Sequence, residues 1–185
     1  MARFEPPHAE CFVFTEKEGL LSAVAHDLRL RVTAFHVEVD AGGAVQARFE
    51  AASLRVVCAQ RGGVDDLGAL SEKNRAEIEA NLRKDVLAPE RFPEIRFTAE
   101  GDASRAGHDR ETLAGGGEVL LAGKLTLHGT TRPLSVRVGV RGEQLVVTAQ
   151  LQQPDFGIKP YSAMFGTLKV KPTVRVQLFL PRASL

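Results

Sequence analysis

Gly117–Val140, GEVLLAGKLTLHGTTRPLSVRVGV, is the stretch whose reading decides the fold. Val119, Leu121, Gly123, Leu125 and Leu127 alternate with smaller or more polar neighbours, and the alternation resumes at Leu134, Val136, Val138 and Val140. A period of two means strands with one apolar face each. His128 to Pro133 read as the connection, because glycine tolerates positive φ and proline cannot donate to a central ladder. The result is a long hairpin, with strands exceeding the usual five or six residues. Further strands of this length have to curl around a shared interior.

Working outward, the chain supplies them. ECFVFTEK (Glu10 to Lys17) is a first strand, with Phe12 and Phe14 on one face and Cys11 and Val13 on the other. Leu28, Leu30 and Val32 alternate with Arg29, Arg31 and Thr33. The phase slips at Ala34 and Phe35 before continuing through Val37 and Val39, which marks a bulge. Val45, Ala47, Phe49 and Ala51 are in phase, and Leu54, Val56 and Cys58 are in the opposite phase, so a second bulge falls near Ala52 and Ser53. Ile95, Phe97 and Ala99 form a fourth strand, the hairpin a fifth and sixth, Leu145 to Leu151 a seventh, and Leu168 to Leu180 an eighth interrupted at Pro172. Ser71 to Leu87 is the one convincing helix: Ile78, Leu82 and Val86 form its stripe, Ser71 its N-cap, and Pro89 lies just beyond. Gly101 to Gly117 is polar and glycine-rich and reads as a loop.

This is an all-β chain with one inserted amphipathic helix. Eight strands, two of them bent, give an extended, closed antiparallel barrel or a strongly curled sheet. At this strand number the interior is either filled by side chains or able to hold one ligand. The whole chain, 1–185, reads as one domain, long enough to bury a core without staples.

Composition removes several functions. The formal charge is +1 and aromatic residues make up 6%, without Trp, so a phosphate-tracking groove with stacking platforms is not supported. No apolar run approaches the length of a membrane span and the N-terminus MARFEPPHAE has no apolar h-region; the expected location is cytoplasmic. Cys11 and Cys58 lie in apolar strands and read as buried free thiols. His8, His26, His36, His108 and His128 form no ligand spacing, and no phosphate, dinucleotide or nucleophile-elbow motif occurs. No metal, cofactor or catalytic residue is expected.

The order of the segments resembles the YceI family of polyisoprenoid-binding, lipocalin-like proteins. The carriers are PHAECFVF, HDLRLRVTAFHVEVD, FEAASLRVV, ANLRKDVLAPERFPEIRFTAEG, GKLTLHGTTRPLSVRV and QPDFGIKP. Gly123 to Pro133 and Asp155 to Ile158 are the most specific of these. The chain departs from the family pattern at Asn81-Leu82, where a His-Leu pair is common, and at Gln153-Pro154, where Arg-Ser is usual. Many members carry an export signal that this N-terminus lacks. The resemblance implies an eight-stranded lipocalin-like barrel whose apolar tunnel binds an isoprenoid chain, without catalysis.

Candidate ligand-binding residues are Phe12, Phe14, Leu30, Val32, Phe49, Phe97, Leu125, Val136 and Val147 on the strands. Phe156, Ile158, Tyr161, Met164 and Phe165 come from the loop Gln152 to Gly166, which reads as a mouth or lid, or equally as a plug. The expected ligand is a long-chain lipid: a polyisoprenoid, a quinone or a fatty acid. The alternative is a filled barrel acting in protein interaction or homodimerisation.

Overall fold

The computed structural model describes residues 1–18, 26–101, 109, 111–163 and 168–182. In chain order the strands are β1 (Ala2–Phe4), β2 (Glu10–Thr15), β3 (Lys17–Glu18), β4 (Asp27–Val32), β5 (Phe35–Val39), β6 (Val45–Glu50), β7 (Leu54–Arg61) and β8 (Val64–Asp66). Helix α1 (Glu72–Asn81) follows, then β9 (Glu94–Ala99), β10 (Val119–Leu127), β11 (Thr130–Arg141), β12 (Gln144–Gln152), β13 (Ser162–Ala163), β14 (Leu168–Val170) and β15 (Thr173–Pro181). All pairings are antiparallel, and the large sheet runs β1-β5-β6-β9-β10-β11-β12-β15-β2-β4-β7-β8.

That order shows how the sheet curls. β4 and β5 are two halves of one strand bent at Thr33 and Ala34, and β6 and β7 are two halves of the next, bent at the 3-10 turn Ala51–Ser53. The inner halves pair near one end of the sheet and the outer halves near the other, so the same two strands join both ends. Thr33 donates to the Ser53 carbonyl from its backbone N (3.2 Å) and its Oγ1 (2.9 Å), and Ser53 Oγ donates to Glu50 O at 2.8 Å. Both bends fall where the hydrophobic phase slips in the sequence. Counting each bent pair once, β2, β4–β5, β6–β7, β9, β10, β11, β12 and β15 are the eight expected long strands. β1, β3, β8 and β13 are too short to show alternation and are visible only in the structure.

Several details differ from the sequence reading. The β10–β11 connection is only His128 and Gly129, at φ 51 and 74, the left-handed pair of a tight two-residue hairpin. Thr130 to Pro133 belong to β11, with Pro133 opposite Lys124. β12 pairs with β11 only over Arg137–Arg141, so no second neighbour needs the missing N–H of Pro133. The eighth strand is split at Pro172: β15 joins the barrel, whereas β14 pairs with β13 and β3 in a small second sheet. Of the expected 101–117 loop, residues 111–114 are helical, while 102–108 and 110 lie outside the described residues.

The helix is shorter than its pattern suggests. Ser71 caps α1 through a reciprocal pair with Asn74, but after Asn81 the chain widens into a π-helical segment, Leu82–Leu87, ended by Ala88 at φ 43. α1 itself buries no residue; of the expected stripe only Val86, in the π segment, is buried, while Ile78 and Leu82 pack half-buried against Leu30, Val56, Ala59 and Leu70. Polar links complete the attachment. Glu79 Oε1 accepts from the Val56 backbone N at 2.8 Å, beside the register shift between β4 and β7, and Arg83 donates to Ala52 O at 3.3 Å.

Candidate functional site

The inward residues of the barrel do not fill it. A cavity of about 340 Å³ lies between the strands, within the range of small-molecule sites. On one wall Leu145, Val147, Ala149 and Leu151 of β12 face inward beside Leu180, Leu178, Val176 and Val174 of β15, each pair in direct register. Cys11 and Val13 continue that wall onto β2, opposite Val32 and Leu30 of β4. Val136 and Val138, Leu121 and Leu125, Phe97, Ala47 and Phe49 complete the circuit. The four inward positions of β12 alone extend over roughly 20 Å at about 3.3 Å per residue. The space is therefore long and narrow.

Leu82, Val86 and Leu87 of the π segment close one end together with Ile158. The lining at the far end includes Gly43 of the β5–β6 turn, Leu113 and Val119. At the helical end Asn81 Nδ2 donates to the Tyr161 hydroxyl at 3.0 Å, tying the helix to the loop that follows β12. That loop is held from beneath: Gln153, buried, donates from Nε2 to Lys171 O at 3.0 Å, and Arg132 Nε donates to Asp155 O at 3.1 Å.

Of the candidate residues, Leu30, Val32, Phe49, Phe97, Leu125, Val136, Val147 and Ile158 lie on the lining. Phe156 is buried in the core without reaching the cavity, and Tyr161 packs half-buried against the same core. Met164 and Phe165 lie outside the described residues. Phe12 and Phe14 are placed differently from expectation. β2 turns Cys11 and Val13 inward, which leaves both phenylalanines on the outer face, opposite Arg31 and Arg29 of β4. There the Arg29 guanidinium carbon sits 5.1 Å from the Phe12 ring centre and that of Arg175 sits 4.2 Å from the Phe14 ring centre. Cation–π packing makes this outer position favourable for rings that would otherwise be wet. The opposing arginines, which alternate with Leu28 and Leu30, are the sequence signal that marks this face as outer. Val138 belongs to the same alternating set as Val136 and also reaches the lining, as do Val13, on the face of β2 away from Phe12 and Phe14, and Leu178 of β15; Leu82 and Val86 do so through the π segment.

Cys11, on the wall and 1% exposed, has its thiol pushed up to about 12 by burial. Burial, reinforced by the Asp65 carboxylate, also raises the Cys58 thiol. Both cysteines are free. Among the described residues no three His, Cys, Asp or Glu side chains come together as a metal site. Lys159 is exposed, and the His128 ring packs against Phe92 with ring centres 4.2 Å apart and planes tilted by 48°.

Fold and cavity together define a β-barrel with an aliphatic interior closed at one end by a helix. A YceI-like domain model matches residues 6–180, and the chain belongs to that family. Two solved structures share the fold. One is a polyisoprenoid binding domain from Saccharophagus degradans implicated in plant cell wall breakdown, at TM-score 0.59 and 13% identity, covering 98% of this chain and 99% of that one. The other is BcnA of Burkholderia cenocepacia, at TM-score 0.58 and 16% identity, covering 95% and 97%. No curated protein matches the chain significantly.

Proposed function

We propose that this protein binds a long-chain isoprenoid or a similar amphiphilic lipid in its barrel and performs no chemistry on it. One observation carries the reading: an unfilled cavity runs along the barrel with a lining almost entirely of Val, Leu, Ala, Ile and Phe. The family membership and the polyisoprenoid-binding name of one structural neighbour point the same way.

Energetics set the kind of guest. Each buried methylene contributes about 0.8 kcal/mol, whereas association costs roughly 4–15 kcal/mol. A chain of about ten methylenes therefore barely offsets that cost, and a longer prenyl or acyl chain holds. The competing reading, a filled barrel used for homodimerisation, has the open interior against it. No helix of the described residues is long and apolar enough to cross a membrane.

Titrating delipidated protein with a prenyl alcohol and a prenylated quinone tests the proposal. Saturable uptake near one molecule per chain is expected. Absence of uptake of either lipid would contradict it.

A further inference from the structure

Gly123 interrupts the inner wall of β10. Val119, Leu121, Leu125 and Leu127, on the same face, all reach the cavity, and Gly123, midway between them, does not. The Phe97 ring takes its place: a Cβ at Gly123 would lie 2.5 Å from Cζ and 2.7 Å from Cε2 of that ring. The ring tip therefore passes directly over the glycine backbone, while Phe97 itself lines the cavity. Its other inward neighbours carry side chains. Ala47 and Leu125 stand opposite it on β6 and β10, and Ile95 and Ala99 flank it on β9. A methyl group at position 123 would close the notch, and in a close-packed wall the side left open to the ring is the cavity.

We infer that Gly123 and Phe97 set the bore of the barrel at mid-length: the glycine lets the ring lie against the wall, and a long chain passes the ring there. This inference rests on the proposed lipid binding and adds the residues that decide whether one chain can occupy both halves of the cavity. A ring turned into the lumen leaves two short compartments. Half of the span from Val119 to Leu127 is about 13 Å at about 3.3 Å per residue. That is room for about ten carbons of an extended chain built from ~1.5 Å bonds, the length at which burial barely offsets the cost of association.

The test is uptake of geranylgeraniol by delipidated protein, followed by native mass spectrometry, for the natural chain, Gly123→Ala and the double variant Gly123→Ala/Phe97→Leu. Gly123→Ala is expected to weaken binding at least about tenfold, the loss of a few buried methylenes. The double variant should recover several-fold of that loss, because the displaced ring is gone. Val56→Ala, buried but off the lining, supplies a destabilised barrel with an unobstructed bore and should bind as the natural chain does. Where Gly123→Ala does not fold, Phe97→Trp with Gly123 intact decides: the larger ring overruns the notch, and a loss of at least about tenfold is again expected. Natural-level uptake by folded Gly123→Ala, or by Phe97→Trp where that variant decides, would overturn the bore-setting role while leaving lipid binding intact. A loss in Val56→Ala as large as in Gly123→Ala would also overturn it, since uptake would then follow stability. No uptake by the natural chain would instead overturn the lipid-binding reading, and this inference with it.

Discussion

Asn81 and Tyr161, eighty positions apart, meet at the helical end of the barrel, where the Asn81 side-chain amide donates to the Tyr161 hydroxyl at 3.0 Å. α1 buries no residue of its own, so a polar link of this kind carries more of its attachment than it would for a helix with a deep apolar face.

Removing that link should loosen the closed end. Tyr161→Phe is expected to lower stability by about 1 kcal/mol, read from urea unfolding. In a double-mutant cycle with Asn81→Ala the two losses should not add, because both delete one bond. Full additivity would show that the pair is not coupled.

Gly123 holds a second constraint, inside the barrel. A Cβ there would lie 2.5 Å from the Phe97 ring and 2.5 Å from the Thr98 carbonyl oxygen, and the latter is backbone that cannot step aside. Gly123→Ala is expected to cost about 1–3 kcal/mol by overpacking. Unchanged unfolding free energy would mean that β9 and β10 can part to admit a methyl group.

Burial of Cys11 makes stability pH-dependent in the alkaline range. Its thiol ionises near 9.0 when exposed and is raised to about 12 in the fold. Above pH 9 the unfolded chain therefore loses a proton that the folded chain keeps, and stability falls as pH rises through this window. At about 1.4 kcal/mol per pH unit, moving from pH 8 to pH 10.5 should cost the natural chain about 2 kcal/mol more than Cys11→Ala. The Cys58 thiol is present in both and cancels. Parallel pH profiles for the two proteins would contradict the assignment.

How much of this was legible in the sequence varies with the kind of signal. The bends at Thr33–Ala34 and Ala51–Ser53 could be read because a one-residue slip moves every following side chain to the other face. The orientation of β2 could not be read in the same way, since Phe12 and Phe14 are as apolar as Cys11 and Val13; only pairing with Arg29, Arg31 and Arg175 decides which side is inside. Pro133 looked like a turn residue because the vacant side of β11 is a tertiary fact. The π-helical widening after Asn81 is set by packing against the barrel end and has no local signature that the Ile78, Leu82 and Val86 spacing could carry. Gly123 counted as one more position in an alternating run, whereas in the fold it makes room for Phe97.

Filling the cavity should separate binding from folding. Ala149 lies on the wall of β12, beside Val176. Ala149→Phe places a ring in open space, and lipid uptake should fall at least tenfold while the thermal midpoint shifts little. Uptake at the natural level would place the guest elsewhere.

The most direct measurement is native mass spectrometry of the protein as purified, followed by delipidation and reloading with a prenyl alcohol, the natural chain beside Ala149→Phe. A single long-chain adduct per chain, released by organic extraction, restored on reloading and lost in the variant, is the expected result. A natural chain that takes up no prenyl lipid at saturating concentration would contradict a lipid-binding barrel.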